Sequence, residues 1–453
     1  MKTYKNVLCF NPILKPQAFP PIGIELIAGA IKDLVQNISI IDLSKEKDYR
    51  KFIRDDIDLY LVSVNWKWYF DSVCDIIRSL PENVMTIVGG RYATEKVNEL
   101  FLLCPNINVI VRGEGEETIR EFLKQGTPDN VDGLSFRKNG KIIHNKDRIY
   151  SGISNDILPY RKIRRYKYSY ENKCVYFKYP LDCIYSSRGC PANCKFCFLG
   201  QRRKWFGRSP ESVIRELKEI DTKVVGFTDE NFFADIKRVE KICDLIIKEK
   251  IKKIFAAQAR ISIGFYPQLI KKIKLAGFRF LTIGIESAQD KTLKLWDKGI
   301  TIEQIRKAFK VLSNSGIIIL GYFIVGNIGE TEAEMLEISK FAKEIGVDIL
   351  SCSYLRYEEN PGLKEVLQKN KDYYVAEDNR IYSVKYEKKE ITKIFHRIII
   401  DFWKIRQILR LTYKLLMIGI PMSNFVFHFI LGVPITIIKL IKRKRESRKK
   451  DLC

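Results

Sequence analysis

Histidine is nearly absent from this chain: there are three in 453 residues, His144, His396 and His428, and none precedes His144. None of the three lies near in sequence to the chain's one cysteine cluster, so no neighbouring imidazole completes a zinc set there. Acids are also short, with 54 Asp+Glu against 79 Lys+Arg and a net charge of +25. No long apolar run follows the lysines of the N-terminal MKTYKNVLCFNP, so no secretory signal is visible and a cytoplasmic, reducing setting without disulfides is expected. With 46% apolar residues the chain can build real cores, which excludes disorder and fibrous repeats as its main character.

The excess charge is uneven. Residues 158–208 hold 13 Lys+Arg against Glu171 and Asp182, a net +11, and residues 401–453 hold 12 against 3, a net +9. Such stretches suit a polyanion, either nucleic acid or an anionic membrane. The first of them, PYRKIRRYKYSYENKCVYFKYP, reads as a basic, tyrosine-rich linker lying over the surface.

From residue 5 to 125, short apolar runs (KNVLCF, ISIID, DLYLVSV, MTIVGG, INVIVRG) alternate with segments whose apolar residues recur at helical spacing (IELIAGAIKDL, FDSVCDIIRSL, ATEKVNELFLL, EETIREFLK). This predicts an α/β domain over 1–131 with a doubly wound parallel sheet, its ligand site at the carboxyl ends of the strands. Gly89, Gly90, Gly113 and Glu114 fall there. A hairpin turning on Asn139 and Gly140 opens a connecting region over 132–180.

A second alternation of six strand-and-helix units runs from Leu181, within a domain expected over 181–372, and predicts a (β/α)6 partial TIM barrel with its site where the strands end. From 373 to 453 a helical, basic region is expected. Residues 415–438 carry no Lys, Arg, Asp or Glu, about the length that crosses a bilayer. Pro421, Pro434, Gly419 and Gly432 interrupt that span, which suits a bent or interfacial pair of helices beside the basic KLIKRKRESRKK; a spanning helix and a buried cap on the barrel are the other readings.

Eight of the eleven cysteines are scattered and read as ordinary thiols. Cys190, Cys194 and Cys197 are not, because SSRGCPANCKFCFLG puts three thiolates on one loop after the first barrel strand. Three cysteines suit a four-iron cluster with one iron left open; a structural zinc completed by a distant fourth cysteine is the alternative.

The spacing of Cys190, Cys194 and Cys197, with Phe196 before the last, resembles the radical S-adenosylmethionine superfamily. The resemblance implies a [4Fe–4S] cluster whose open iron binds S-adenosylmethionine and cleaves it to a 5′-deoxyadenosyl radical, with a reductant such as flavodoxin or ferredoxin. VVGFTDENFFAD with Asp229, AAQARIS with Arg260, LTIGIESAQD with Glu286 and Ser287, and GYFIVGNIGET with Gly326 resemble the family's cofactor-contacting segments. Acids and hydroxyls after strands are also common helix caps, and Thr331 reads as one.

The N-terminal segments FPPIGIELIAGAIKD, IVGGRYAT and VIVRGEGEET resemble the cobalamin-binding domain of one large subgroup, in which Gly89, Gly90, Gly113 and Glu114 would approach the corrin. There is no DxHxxG motif, so cobalamin would lack a histidine lower ligand from this domain. The expected activity is methylation or rearrangement of an unactivated carbon, on a hydrophobic or lipid-linked substrate met at an anionic membrane surface. A peptide substrate, a transfer-RNA methylthiotransferase using Cys9, Cys74 and Cys104 as a second set, and an inactive cobalamin-sensing membrane scaffold are the alternatives. Nucleic acid is the less favoured partner, because no RNA-binding barrel is recognisable at the end of the chain.

Overall fold

A computed structural model of the chain describes residues 4–15, 17–150, 152, 154–172, 177–199, 204–358 and 360–418. It divides into two compact units, Met1–Tyr170 with Pro180–Cys183, and Glu171–Tyr179 with Ile184–Cys453.

The first unit runs β1 (Asn6–Asn11), α1 (Ile22–Ile31), β2 (Asn37–Asp42), β3 (Leu59–Ser63), α2 (Phe70–Arg78), β4 (Met85–Gly89), α3 (Arg91–Glu95), α4 (Val97–Leu103), β5 (Val109–Val111), α5 (Glu116–Gln125), β6 (Leu134–Lys138) and β7 (Lys141–His144). The sheet order is β2-β1-β3-β4-β5-β6-β7. The first five strands pair in parallel. The expected hairpin adds β6 and β7 antiparallel at the edge. Strand order reverses between β1 and β3, so the crevice for a ligand opens at their carboxyl ends. Both faces are covered: Cys9, Leu59 and Ile119 pack on one side, and Phe10, Tyr60, Cys74 and Cys104 on the other.

The periodicity predicts one helix over 93–103, but the chain breaks at Lys96 (φ −122°, ψ 33°). The first piece is held by the Tyr92 and Ala93 amides, which donate to the Val64 carbonyl, while the second turns Leu100 and Phe101 into the core. One straight helix cannot satisfy both.

The basic linker is not a loose surface strand. Arg164 donates to both oxygens of buried Glu25 at 2.6 Å and to Asp182 at 2.5 Å, Arg161 reaches Asp182 at 3.2 Å, and the buried Tyr168 hydroxyl donates to Asp42 at 2.8 Å. Burial and its neighbouring acids push the Tyr168 hydroxyl far above its ordinary value. Further along, Arg188 is buried and Arg208 pairs with buried Glu216. Part of the +11 is thus internal charge, matched by acids that a count along the chain cannot assign to it.

The second unit contains β8 (Ser169–Asn172) and β9 (Phe177–Ile184), apart from Ser169–Tyr170 and Pro180–Cys183, which belong to the first, and then β10 (Ser187–Arg188), β11 (Phe206–Gly207), α6 (Pro210–Glu219), β12 (Val224–Phe227), α7 (Ile236–Lys248), β13 (Ile254–Ala259), α8 (Pro267–Ala276), β14 (Phe278–Glu286), α9 (Asp290–Leu295), α10 (Ile302–Leu312), β15 (Ile318–Val325), α11 (Glu332–Ile345), β16 (Ile349–Tyr354), α12 (Pro361–Lys369), β17 (Tyr373–Val375), β18 (Ile381–Ser383), α13 (Lys388–Phe402) and α14 (Ile405–Met417). Its main sheet has the order β16-β15-β14-β13-β12-β9-β8, a half-barrel in which β12 through β16 pair in parallel. Phe227, Phe232, Phe255 and Phe278 cluster in its core, each fully or almost fully buried and worth about 1.5–3 kcal/mol of apolar transfer. Thr301 and Thr331 each form capping boxes, with Gln304 and Glu334, so Thr331 is the cap its sequence context suggests.

The C-terminal region is partly a barrel cap: Ile391, Ile394, Ile398 and Phe402 of α13 join the main core. No helix among the described residues is long and apolar enough to cross a membrane. The uncharged span over 415–438 lies, from residue 419, outside the described residues.

Candidate functional site

The cysteine loop leaves the half-barrel after β10, beyond the carboxyl ends of the strands. Gly189 starts it with φ +86°, and a Cβ there would run into the Lys204 carbonyl, so only glycine serves. Its amide donates to Glu230 at 3.1 Å. Next the loop closes on itself, with the Cys197 amide donating to the Cys194 carbonyl at 3.0 Å. Two contacts anchor it elsewhere: the Lys195 amide donates to the Trp296 carbonyl at 3.0 Å, and Asn360 Nδ2 to the Cys197 carbonyl at 2.7 Å. None of the three cysteines is in a disulfide; Cys194 is buried, Cys190 and Cys197 half-buried.

Arg260, just past β13, lies with Nη1 3.4 Å from Cys194 Sγ while Nη2 donates to the Lys298 carbonyl at 2.5 Å. Buried Lys298 then pairs with Glu286 at 2.8 Å, and its ammonium sits 5.8 Å from the centre of the Phe196 ring. Phe196 meets Trp296 edge-on at 5.9 Å. The Trp296 indole N–H donates to Asn327 at 2.8 Å, and Asn327 Nδ2 donates to Glu330 at 3.2 Å and to the Glu286 carbonyl at 3.4 Å. Ser287 is fully buried and donates to Glu330 at 2.5 Å. Burial pushes the Glu330 carboxyl above its ordinary value, against these hydrogen bonds. Glu286 itself has φ +75° at an irregularity between β14 and β15, backbone strain of the kind that collects at functional sites.

Of the residues singled out from sequence, Cys194, Phe196, Arg260, Glu286 and Ser287 therefore fall into one connected network beside the loop. Asp229 does not. It is fully buried, accepts from the Ser186 amide at 2.7 Å and from the Ser186 and Ser187 hydroxyls, and so holds the chain just before the loop in place. Desolvation raises its carboxyl and those hydrogen bonds oppose the rise. Gly326 faces Ile391 of α13, which a Cβ would meet at 3.3 Å. Lys298, Trp296, Asn327 and Asn360 are additions. Their signal in the sequence was weak, since a lone lysine or asparagine carries no spacing.

In the first unit Gly89 ends β4. Gly90 has φ +111°, and a Cβ there would lie 2.8 Å from the Val64 carbonyl, so the backbone contact requires it. Gly113 has φ +73° and opens on free space. Glu114 lines a small cavity with Leu26, Arg148 and Ile157. Cys9 lies in the core on the opposite face of the sheet from Cys74 and Cys104, which corrects the idea that these three form a second ligand set. Burial pushes the Cys9 thiol up to about 12.

The donor chemistry suits a cluster better than a single ion. A four-iron cluster takes each thiolate on its own iron, so the sulfurs need not converge on one point.

The Radical SAM superfamily domain matches residues 184–342. An uncharacterized methyltransferase of Pyrococcus horikoshii is 32% identical over 354 residues, 73% of this chain and 74% of that protein. The hopanoid C-3 methylase of Methylococcus capsulatus is 24% identical over 337 residues, 69% of this chain and 63% of that protein. The solved structure of the cobalamin-dependent S-adenosylmethionine radical enzyme OxsB, with aqua-cobalamin and S-adenosylmethionine bound, shares the fold with a TM-score of 0.68 at 17% identity, covering 99% of this chain and 81% of that one. With the cysteine loop at the mouth of the half-barrel, these similarities make the chain a member of the radical S-adenosylmethionine superfamily, an enzyme whose cofactors are a [4Fe–4S] cluster and S-adenosylmethionine.

Proposed function

We propose that the protein is a cobalamin-dependent radical S-adenosylmethionine methyltransferase acting on an unactivated carbon of a hydrophobic substrate. The observation that carries this reading is the first unit's strand order, β2-β1-β3-β4-β5, whose switch point opens beside Asn65, Trp66 and Trp68 after β3. Trp66 and Trp68 stack at 4.9 Å and are both exposed, an apolar platform at the edge where a large flat ligand would lie. Gly113, after β5 and two strands along the same carboxyl edge, has open space at its Cβ. His144 is held by Ser135 on β6, within the edge hairpin, so the donor set fits a corrinoid bound without an imidazole.

When bound, the cluster supplies the electron that cleaves S-adenosylmethionine, and cobalamin supplies a methyl carrier. The chain's own residues bind and orient: Cys190, Cys194 and Cys197 would hold the cluster, Arg260 braces Cys194, and the Glu286–Lys298 pair with Phe196 offers charge and an apolar wall to S-adenosylmethionine. A small reductant such as flavodoxin or ferredoxin would deliver electrons. Peripheral attachment to the cytoplasmic face of a membrane, suggested by the uncharged span and the basic tail, would bring the enzyme to a hydrophobic or lipid-linked substrate.

Anaerobic purification tests this directly. Iron–sulfur and corrinoid absorption, with 5′-deoxyadenosine or S-adenosylhomocysteine among the products, is the expected result. Replacing the three cysteines by Ala should abolish those products, and turnover surviving that change would overturn the assignment.

A further inference from the structure

Helix α14 is amphipathic in an unusual sense: both of its faces carry apolar side chains. Its inner face packs Leu411 and Leu415 on Ile318. There Lys414 donates to the Ile317 carbonyl at 3.0 Å and pairs with buried Asp348 at 2.7 Å, and Arg410 donates to the Gly346 carbonyl at 2.8 Å. Ile317, Gly346 and Asp348 precede β15 and β16, so the helix is fixed under the amino ends of the half-barrel strands, opposite the cysteine loop. Its outer face carries Ile405, Leu409, Tyr413 and Leu416, spaced four, four and three residues apart on one stripe. Their exposure runs from 43% at Leu416 to 70% at Ile405. No Asp or Glu occurs in the helix.

We propose that this outer stripe of α14 is the surface that lies in the interface of an anionic lipid bilayer, so that the half-barrel stands on the membrane with its cysteine loop pointing away from it. This rests on the peripheral-attachment reading above and adds which face of the folded unit makes the contact. Three observations select lipid over a second copy or a protein. Exposed Lys250, Lys252 and Lys274 and exposed Leu275 occupy the same amino-end side, giving the mixture of cations and apolar groups that an anionic headgroup layer takes. The stripe runs directly into the chain beyond residue 418, where no charged residue occurs until Lys439. Eight Lys and Arg against Glu446 then follow over 439–450, so charge complementarity continues in sequence. One consequence is chemical: a lipid substrate must leave the bilayer to reach the cysteine loop.

Flotation of the full-length protein with vesicles of phosphatidylcholine containing 30% phosphatidylglycerol, compared with phosphatidylcholine alone, tests this. The full chain should float with the anionic vesicles. The L409E/Y413E double variant should bind at least tenfold more weakly while keeping its helical circular dichroism. If that variant is poorly folded, the milder L409S/Y413S variant should still weaken binding severalfold. Equal flotation of the folded variants and the parent overturns the stripe and leaves attachment through residues 419–453 standing. Failure of the parent to float overturns both readings. Loss of a dimer in sedimentation with vesicle binding unchanged identifies a second copy as the occupant and also overturns the proposal.

Discussion

The guanidinium of Arg260 lies 3.4 Å from the sulfur of Cys194 and is held there by its second nitrogen on the Lys298 carbonyl. With Cys194 holding the cluster as proposed, an N–H pointing at its sulfur, with its positive charge, favours the more reduced cluster, because reduction adds negative charge where the cation sits. Arg260→Gln should keep the fold and lower the cluster's reduction potential. Formation of 5′-deoxyadenosine should slow about tenfold, which corresponds to about 1.4 kcal/mol. A redox titration followed by electron paramagnetic resonance reads the potential; an unchanged potential would mean that Arg260 acts only as a packing group.

The Glu286–Lys298 pair is nearly dry, with side-chain exposures of 11% and 7%. Removing one partner strands the other charge, so Lys298→Met or Glu286→Gln alone should cost about 3–5 kcal/mol. The Glu286→Gln/Lys298→Met double variant should recover much of that loss, since a buried pair exchanged for neutral groups of similar size is often nearly neutral. Thermal melts of all four proteins close the cycle. The double variant should nonetheless bind S-adenosylmethionine poorly if the pair forms part of its site, which separates stability from binding.

The parallel strands of both sheets could be read from apolar spacing alone, because they are buried on both faces and give short continuous runs; β8, Ser169–Asn172, inside the expected linker, carries no such run. The five N-terminal runs and six barrel runs each contain a strand. The expected strand 182–187 was displaced: β9 ends at Ile184, and Ser186 leaves the sheet to meet Asp229. That hydrogen bond joins residues 43 apart, and no periodicity reports it. The cysteine loop was legible for the opposite reason, since its three cysteines are close in sequence. Lys298, Trp296 and Asn327 come from segments far from the loop and become visible only when the half-barrel brings its carboxyl ends together. Asp229, at the end of a strand like Glu286, shows that position after a strand does not distinguish a residue in the network beside the cysteine loop from one that braces the chain.

Glu330 supplies a pH dependence whose sign is fixed by its environment. Burial raises its carboxyl above the ordinary value, so the native state binds a proton that the unfolded chain has already released in the window between the two values. Its contribution to stability is present below the unfolded value and is lost as pH rises through the raised one. Glu330→Gln removes the ionisation while an amide can still bond with Ser287 and Asn327. The wild type should therefore lose melting temperature relative to the Gln variant as pH rises above the ordinary carboxylate range. Parallel pH profiles for the two proteins would show that the carboxyl is not titrating there.

Arg164 tests what the basic linker is for. It holds Glu25 of α1 and Asp182 of β9 at once, with the guanidinium donating along both edges. Burial works against its charge, but the hydrogen bonds to Glu25 and Asp182 outweigh it and keep Arg164 charged. Arg164→Met would leave two buried carboxylates facing each other with only Arg161 nearby, a loss of about 3–5 kcal/mol or more. The first unit should melt earlier, and Glu25→Gln combined with Arg164→Met should restore part of the difference. If the linker instead served a nucleic acid, the Met variant would lose salt-dependent RNA binding while its melting temperature stayed constant. The geometry predicts the reverse: a large drop in melting temperature and no change in the retention of transfer RNA on a filter.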